Sequence, residues 1–289
     1  MQEFLYARTE TGLSQTEIAQ ALETSLAGRT LRHVLIIPPD FTRYHSNAGL
    51  ITNLYYHMLD ARGCQVDILP ALGTHMPVTR EQAAVMFGDI PFERFLVHSW
   101  REDLVTLGTV PGDFLSDITE GLWCEPITAQ INRLVMDPKY DLILSVGQVV
   151  PHEVIGMANH AKNLFVGVGG ADMINKSHMV SAVYGMERIM GKDYTPVRRI
   201  IDYAFENFLT NRPVIFVLTV CTAPNNCIRT HGLFISPDRS CLEAAVRLSQ
   251  EKNIDFVPHG LKKCVAYLDP DELQTTWLGN RCGDTGSQH

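Results

Sequence analysis

The chain has no apolar run near the ~20 consecutive residues that a membrane-spanning helix needs, which argues against a helical membrane protein. It has no excess of positive charge. Its net charge is −8, so the basic face that binds nucleic-acid phosphates is not expected. The first ten residues, MQEFLYARTE, lack a basic stretch followed by an apolar one, so no signal peptide is expected. The seven cysteines are odd in number, scattered and without a CxxC pair, which fits neither a disulfide framework nor a metal knuckle. The expectation is a cytoplasmic protein with reduced thiols. A P-loop, internal repeats and a Gly/Ser linker are missing too. Ser145 is not in a GxSxG elbow, no HExxH or HxH spacing supports a conventional zinc site, and GVGGAD at residues 167–172 fails the GxGxxG pattern.

What is present is a core-forming composition, 45% hydrophobic in 289 residues, enough for one large domain or two ordinary ones. Residues 31–37 (LRHVLII), 64–72 (CQVDILPAL), 140–146 (YDLILSV) and 213–220 (PVIFVLTV) read as buried strands. Residues 95–99 read as a short strand, 105–112 as turns, and 264–268 as a last strand. Helices are expected over 14–26, 47–62, 79 onward, 180–190, 197–211 and 237–250. Ser14 with Glu17, and Thr79 with Gln82, have capping-box spacing. The alternation predicts an α/β fold with a mainly parallel, doubly wound sheet.

Polar residues follow three of these strands. Asp40, Thr42 and Arg43 come after the first, His75 after the second, and His152 after the third. Open parallel sheets bind ligands at that end. Arg43 suits a bidentate carboxylate clamp, and also suits a surface pair with Asp40 that fixes the turn. His75 suits proton transfer, and equally a bond to a loop carbonyl. His152, Lys162 and His178 stand ten and sixteen residues apart, too far for one helix face. An arginine and two histidines in one pocket would suit proton transfer on a small carboxylate-bearing substrate.

DFTR at 40–43, GTHMPVTREQ at 73–82, Pro151-His152, Lys162 and KSH ending at His178 together resemble the lactate racemase family of nickel-pincer-nucleotide enzymes. The resemblance covers roughly residues 30–281. It implies a nickel-pincer nucleotide tethered covalently at Lys162, with His178 as the protein's nickel ligand. His75 and His152 would be the paired acid and base. Asp40 and Thr42 would help Arg43 hold the cofactor or the substrate carboxylate, and Arg281 would stand near a second substrate-binding position. The implied reaction is racemisation or epimerisation of a 2-hydroxy acid by reversible hydride transfer.

Two departures from the family pattern bear on this. Residues 156–161 (GMANHA) replace a glycine- and serine-rich segment, implying a bulkier, more polar pocket wall and a larger acid such as malate or an aldonate. The chain also ends where family members continue into a second α/β domain. The expected division is a catalytic domain over residues 1–256 and the beginning of a truncated second domain over 257–289 with a disordered tail. A non-catalytic small-molecule or nucleotide binder, an inactive fragment of the racemase and a zinc hydrolase are the alternatives. Only the racemase needs an adduct at Lys162.

Overall fold

The computed structural model describes residues 2–257, 259–260 and 262–263. The chain runs β1 (Glu3–Tyr6), α1 (Gln15–Ser25), β2 (His33–Ile37), α2 (Ala48–Asp60), β3 (Gln65–Ile68) and α3 (Arg80–Phe87). It continues through β4 (Leu104–Val110), α4 (Gly112–Ile118), β5 (Ile127–Asn132), α5 (Arg133–Met136) and β6 (Leu142–Gln148). The short β7 (Pro151–His152) and β8 (Gly156–Met157) precede a π-helix at Asn163–Gly167. Then come α6 (Ala171–Tyr184), α7 (Pro196–Phe208), β9 (Val214–Thr222), β10 (Arg229–Ser236) and α8 (Ser240–Asn253).

One six-stranded sheet, in the order β1-β10-β9-β6-β2-β3, organises the molecule. β9, β6, β2 and β3 are parallel, and β10 and β1 are antiparallel additions at one edge. The sheet is buried on both faces, and the residues alternate accordingly. Val34, Ile36, Leu142, Leu144, Ile215 and Val217 pack toward α1, α2 and α3. Leu35, Ile37, Ile143, Phe216 and Leu218 pack toward α4, α6, α7 and α8. Each such burial contributes ~2 kcal/mol, so continuous apolar runs are what a strand covered on both faces needs. α1 and α3 open with the two expected capping boxes, at Ser14/Glu17 and Thr79/Gln82.

The β2 and β3 loops turn to one side of the sheet, while β6 leads on to β9 at the other. The crevice between the C-terminal ends of β2 and β6 is therefore the topological switch point, where ligands of open parallel sheets sit. Pairing continues past the strands there. Pro39 bridges Ala71, and Ala71 N–H donates to Pro38 O at 2.8 Å, which keeps the two loops side by side.

Several expectations are corrected. Residues 95–99 form no strand beyond a single bridge from Phe95 to Ile68. Residues 104–110, read as turns, are β4, paired with β5 in a separate two-stranded sheet whose glycine and threonines hide its apolar alternation. β1 was invisible because its four residues lack a buried face. The helix expected from residue 180 begins at Ala171, so His178 lies inside it. The expected strand at 264–268, Arg281 and nearly all of the proposed second domain lie outside the described residues. Among the described residues, no helix is long and apolar enough to cross a membrane.

Candidate active site

Two prolines end β2, and Asp40 then caps a 3-10 turn at Phe41–Ser46. Asp40 Oδ1 accepts from Thr42 N at 3.1 Å and from Thr42 Oγ1 at 2.5 Å. Its Oδ2 pairs with His75 Nδ1 at 2.5 Å. Burial opposes ionisation of Asp40, but the bonds from His75 and Thr42 and the charge of Arg43 outweigh it, so its pKa is lowered. Asp40 is thus a buried carboxylate that fixes the ring of His75. With Nδ1–H given to Asp40, the lone pair of a neutral ring is on Nε2. The His75 side chain is 47% exposed while that of Asp40 is 6% exposed, so the ring is held from below and open above. Arg43 directly follows Thr42, whose carbonyl accepts from its Nη1 at 3.3 Å.

His152 is set by a different device. β7 and β8 form a miniature hairpin with His152 opposite Gly156. Gly156 has φ +96°, and a Cβ there would stand 2.1 Å from Lys192 O, so only glycine fits. The ring's Nδ1 accepts from Val154 N–H at 3.1 Å, with Glu153 Oε2 3.4 Å away. Lys162 Nζ stands 3.1 Å from Nε2. The Val154 bond leaves the proton of a neutral ring on Nε2, where a deprotonated Lys162 can accept it. Burial, then the Lys162 charge, pushes the His152 pKa well below its ordinary value against the pull of Glu153. Burial and the Arg43 charge bring Lys162 down to about 8.

Lys162 enters a π-helix, a wide turn often found at functional sites. Asn163 anchors it, donating from Nδ2 to Ile37 O at 2.9 Å and to Ser145 Oγ at 3.1 Å, at the ends of β2 and β6. Gly167 O accepts from Gly73 N at 2.7 Å, two residues before His75. A Cβ on Gly167 would approach Ala71 Cβ to 2.7 Å. The glycine cluster therefore serves close packing of the lysine turn against the histidine loop.

His178 lies on α6 and Nδ1 faces Ile174 O at 2.6 Å. That contact places Nδ1–H toward the carbonyl and the neutral ring's lone pair on Nε2, the usual arrangement for a metal-ligating imidazole. His178 is near enough to help depress protonation of His152. Among the described residues, no three His, Cys, Asp or Glu side chains converge to hold a metal. A nickel bound chiefly by an organic pincer needs just one protein ligand, so a single imidazole, a lysine of lowered pKa and a carboxylate-seeking arginine fit such a group.

The structure thus brings His75, Asp40, Thr42, Arg43, His152 and Lys162 to one end of the sheet. The surface concavities of about 320 and 260 Å³ lie elsewhere, beside α2–α3 and β1–α8. Met157, Asn159 and His160 are buried in the core, His160 with its ring 3.7 Å from that of Phe216. The bulk of residues 156–161 is therefore absorbed by the core and does not form an exposed pocket wall. His98 is structural, as its strongly apolar setting suggests. Burial lowers its pKa, and its ring nitrogens meet Gly169 O and Asn132 Nδ2. Sequence reasoning missed Asn163, Glu153 and the Asp40–His75 pairing. The last has a signal in hindsight, because Asp40 and His75 each follow one of two neighbouring parallel strands by a few residues.

A family model, described as the lactate racemase N-terminal domain, matches residues 10–189. A lactate racemase from Thermoanaerobacterium thermosaccharolyticum is 24% identical over 202 residues, covering 65% of this chain and 43% of that protein. A crystal structure of a protein from Thermotoga maritima superposes with TM-score 0.76 at 26% identity, over 86% of this chain and 60% of that one. The lactate racemase apoprotein from T. thermosaccharolyticum superposes with TM-score 0.61 at 18% identity, over 82% of this chain and 55% of that one. The chain spans about half the length of the relatives it matches.

Proposed function

The chain belongs to the lactate racemase family, whose N-terminal domain model it matches, and on that premise we propose that it forms the acid–base half of a nickel-dependent racemase or epimerase of 2-hydroxy acids. The observation that carries this reading is the placing of two histidines, each fixed through Nδ1, at the same end of the sheet as Arg43 and Lys162. Asp40 holds His75 through Nδ1 and leaves its Nε2 outward, while Val154 N–H holds His152 through Nδ1 and leaves its Nε2 facing Lys162 Nζ. In racemisation by hydride transfer, each of two histidines can take the hydroxyl proton of one enantiomer and return a proton to the other.

A nickel-pincer nucleotide held there would supply reversible hydride transfer at the substrate carbon. His178 would ligate its metal and Lys162 would hold it covalently. Arg43 would hold the substrate carboxylate in the bidentate geometry that a guanidinium favours. Thr42 and Asp40 would fix the Arg43 turn and the His75 ring respectively, with His75 taking the hydroxyl proton at Nε2. The partner is a small 2-hydroxy acid, lactate-like, malate or an aldonate.

The test is intact mass and metal content of the chain produced with and without enzymes that make the cofactor. One nickel and an added mass mapping to Lys162 are expected, both lost in Lys162→Ala. In His178→Ala the metal should be lost and the fold retained. An unmodified, nickel-free protein, both for this chain and for one lengthened to match the relatives, would overturn the reading.

A further inference from the structure

Lys162 and His152 sit on an irregular buried segment, and its carbonyls need donors from elsewhere. The structure supplies them from α6, α7 and the loop between. Ser181 Oγ donates to Glu153 O at 3.0 Å, Thr195 Oγ1 to Ile155 O at 2.7 Å, and Gly191 N to Gly156 O at 2.9 Å. Arg198 supplies the rest. Its Nη2 donates to Met157 O at 2.6 Å and to Asn159 O at 3.1 Å, and its Nη1 to Asn159 O at 3.2 Å.

Arg198 has a 1% exposed side chain, so a guanidinium has been taken out of water to serve backbone carbonyls. What it holds is strained. Asn159 and His160 both adopt left-handed conformations, with φ 70° and 61°. Such pairs persist only where the surroundings fix them. Lys162 leaves the chain two residues later, so the turn determines where its amine arrives. Asp202 approaches Arg198 at 3.7 Å and also pairs with Arg239, which binds Asp193 at 2.6 Å, so the guanidinium is itself oriented.

We propose that Arg198 is a positioning residue: by clamping the carbonyls of Met157 and Asn159 it fixes the left-handed turn that delivers Lys162 Nζ to His152 Nε2. It touches neither reacting group; its positive charge makes a minor direct contribution to lowering the Lys162 pKa, and the positioning itself is carried by the backbone between. The consequence for covalent attachment rests on the function proposed above, but the placement of the amine can be measured without cofactor.

The experiment uses the chain without cofactor and follows acetylation of Lys162 by acetic anhydride against pH, by peptide mass, with Lys139 and Lys192 as internal references. The parent should react half-maximally near pH 8. Arg198→Met, folded by circular dichroism, should react at Lys162 only at higher pH, its rate at pH 7 reduced about tenfold or more as the amine regains ordinary lysine character. Arg198→Lys keeps the charge but not the fork that spans the Met157 and Asn159 carbonyls, so it should keep most of the shift; a full return to the parent profile would assign the effect to charge and overturn the proposal. A folded Arg198→Met with the parent's Lys162 profile overturns the proposal. Should that variant not fold, Asp202→Asn, which loosens the guanidinium, should move the profile in the same direction by less; an unmoved profile there overturns it equally. Failure of nickel loading with these profiles as expected would count against the function alone.

Discussion

His75 and His152 stand at one end of the sheet in opposite environments. His75 stands on a loop after β3, half in solvent, and leans on a buried carboxylate at 2.5 Å. The His152 side chain is 12% exposed, with an amine at 3.1 Å and a carboxylate at 3.4 Å. Position after parallel strands is shared, so the fold alone does not distinguish them. The difference comes from what backs each ring. A carboxylate behind one accepts from its Nδ1–H and fixes the ring for taking a proton at Nε2, as in other carboxylate–histidine pairs. Burial and a cation beside the other resist such protonation. Under the proposed function, these two environments would serve the two enantiomers of one substrate.

Breaking this asymmetry should have the largest effect when a ring is removed. In protein carrying the covalent cofactor, His75→Ala and His152→Ala should each lower turnover about 10²–10⁴-fold, measured by circular dichroism of the hydroxy acid. Racemisation at the parent rate by either variant would sink the two-base scheme. Asp40→Asn should come next, a loss of about 10²-fold or more in kcat, because an amide can hold the ring in the wrong tautomer. Glu153→Gln should do far less, since His152 takes its tautomer from Val154 N–H. Equal losses in those two variants would erase the distinction drawn between the rings. Arg43→Lys should act mainly on KM, raising it about tenfold, through loss of the fork geometry.

The parallel sheet was legible because strands buried on both faces read as continuous apolar runs, as in LILSVGQ of β6. The capping boxes were legible because their chemistry is local. The candidate residues were legible as polar groups after strands, and their family resemblance joined them. Pairings across the chain were not. Asp40 meets His75 only because β2 and β3 are neighbours, and Arg198 serves the lysine turn from an amphipathic helix whose pattern gives no hint of a buried guanidinium. β4 was missed because Gly108 lies at a register shift against β5, which breaks its alternation.

A smaller effect sharpens the comparison through stability. Lys162 is held down to about 8, chiefly by burial, whereas in the unfolded chain it is an ordinary lysine near ~10.4. Below pH 8 both states carry the charge, and the folded state bears the desolvation cost. As pH rises from about 8 to about 10.4 the folded amine is neutral while the unfolded one still binds a proton, so stability rises with pH and then levels. The shift corresponds to roughly 3 kcal/mol at the upper limit. Lys162→Met should therefore stabilise the fold at pH 7 by about 1–3 kcal/mol in urea denaturation, with the gain shrinking toward pH 10. A Lys162→Met variant no more stable than the parent at pH 7 would mean that the crevice solvates its lysine, and the contrast between its two walls would then rest on hydrogen bonding alone.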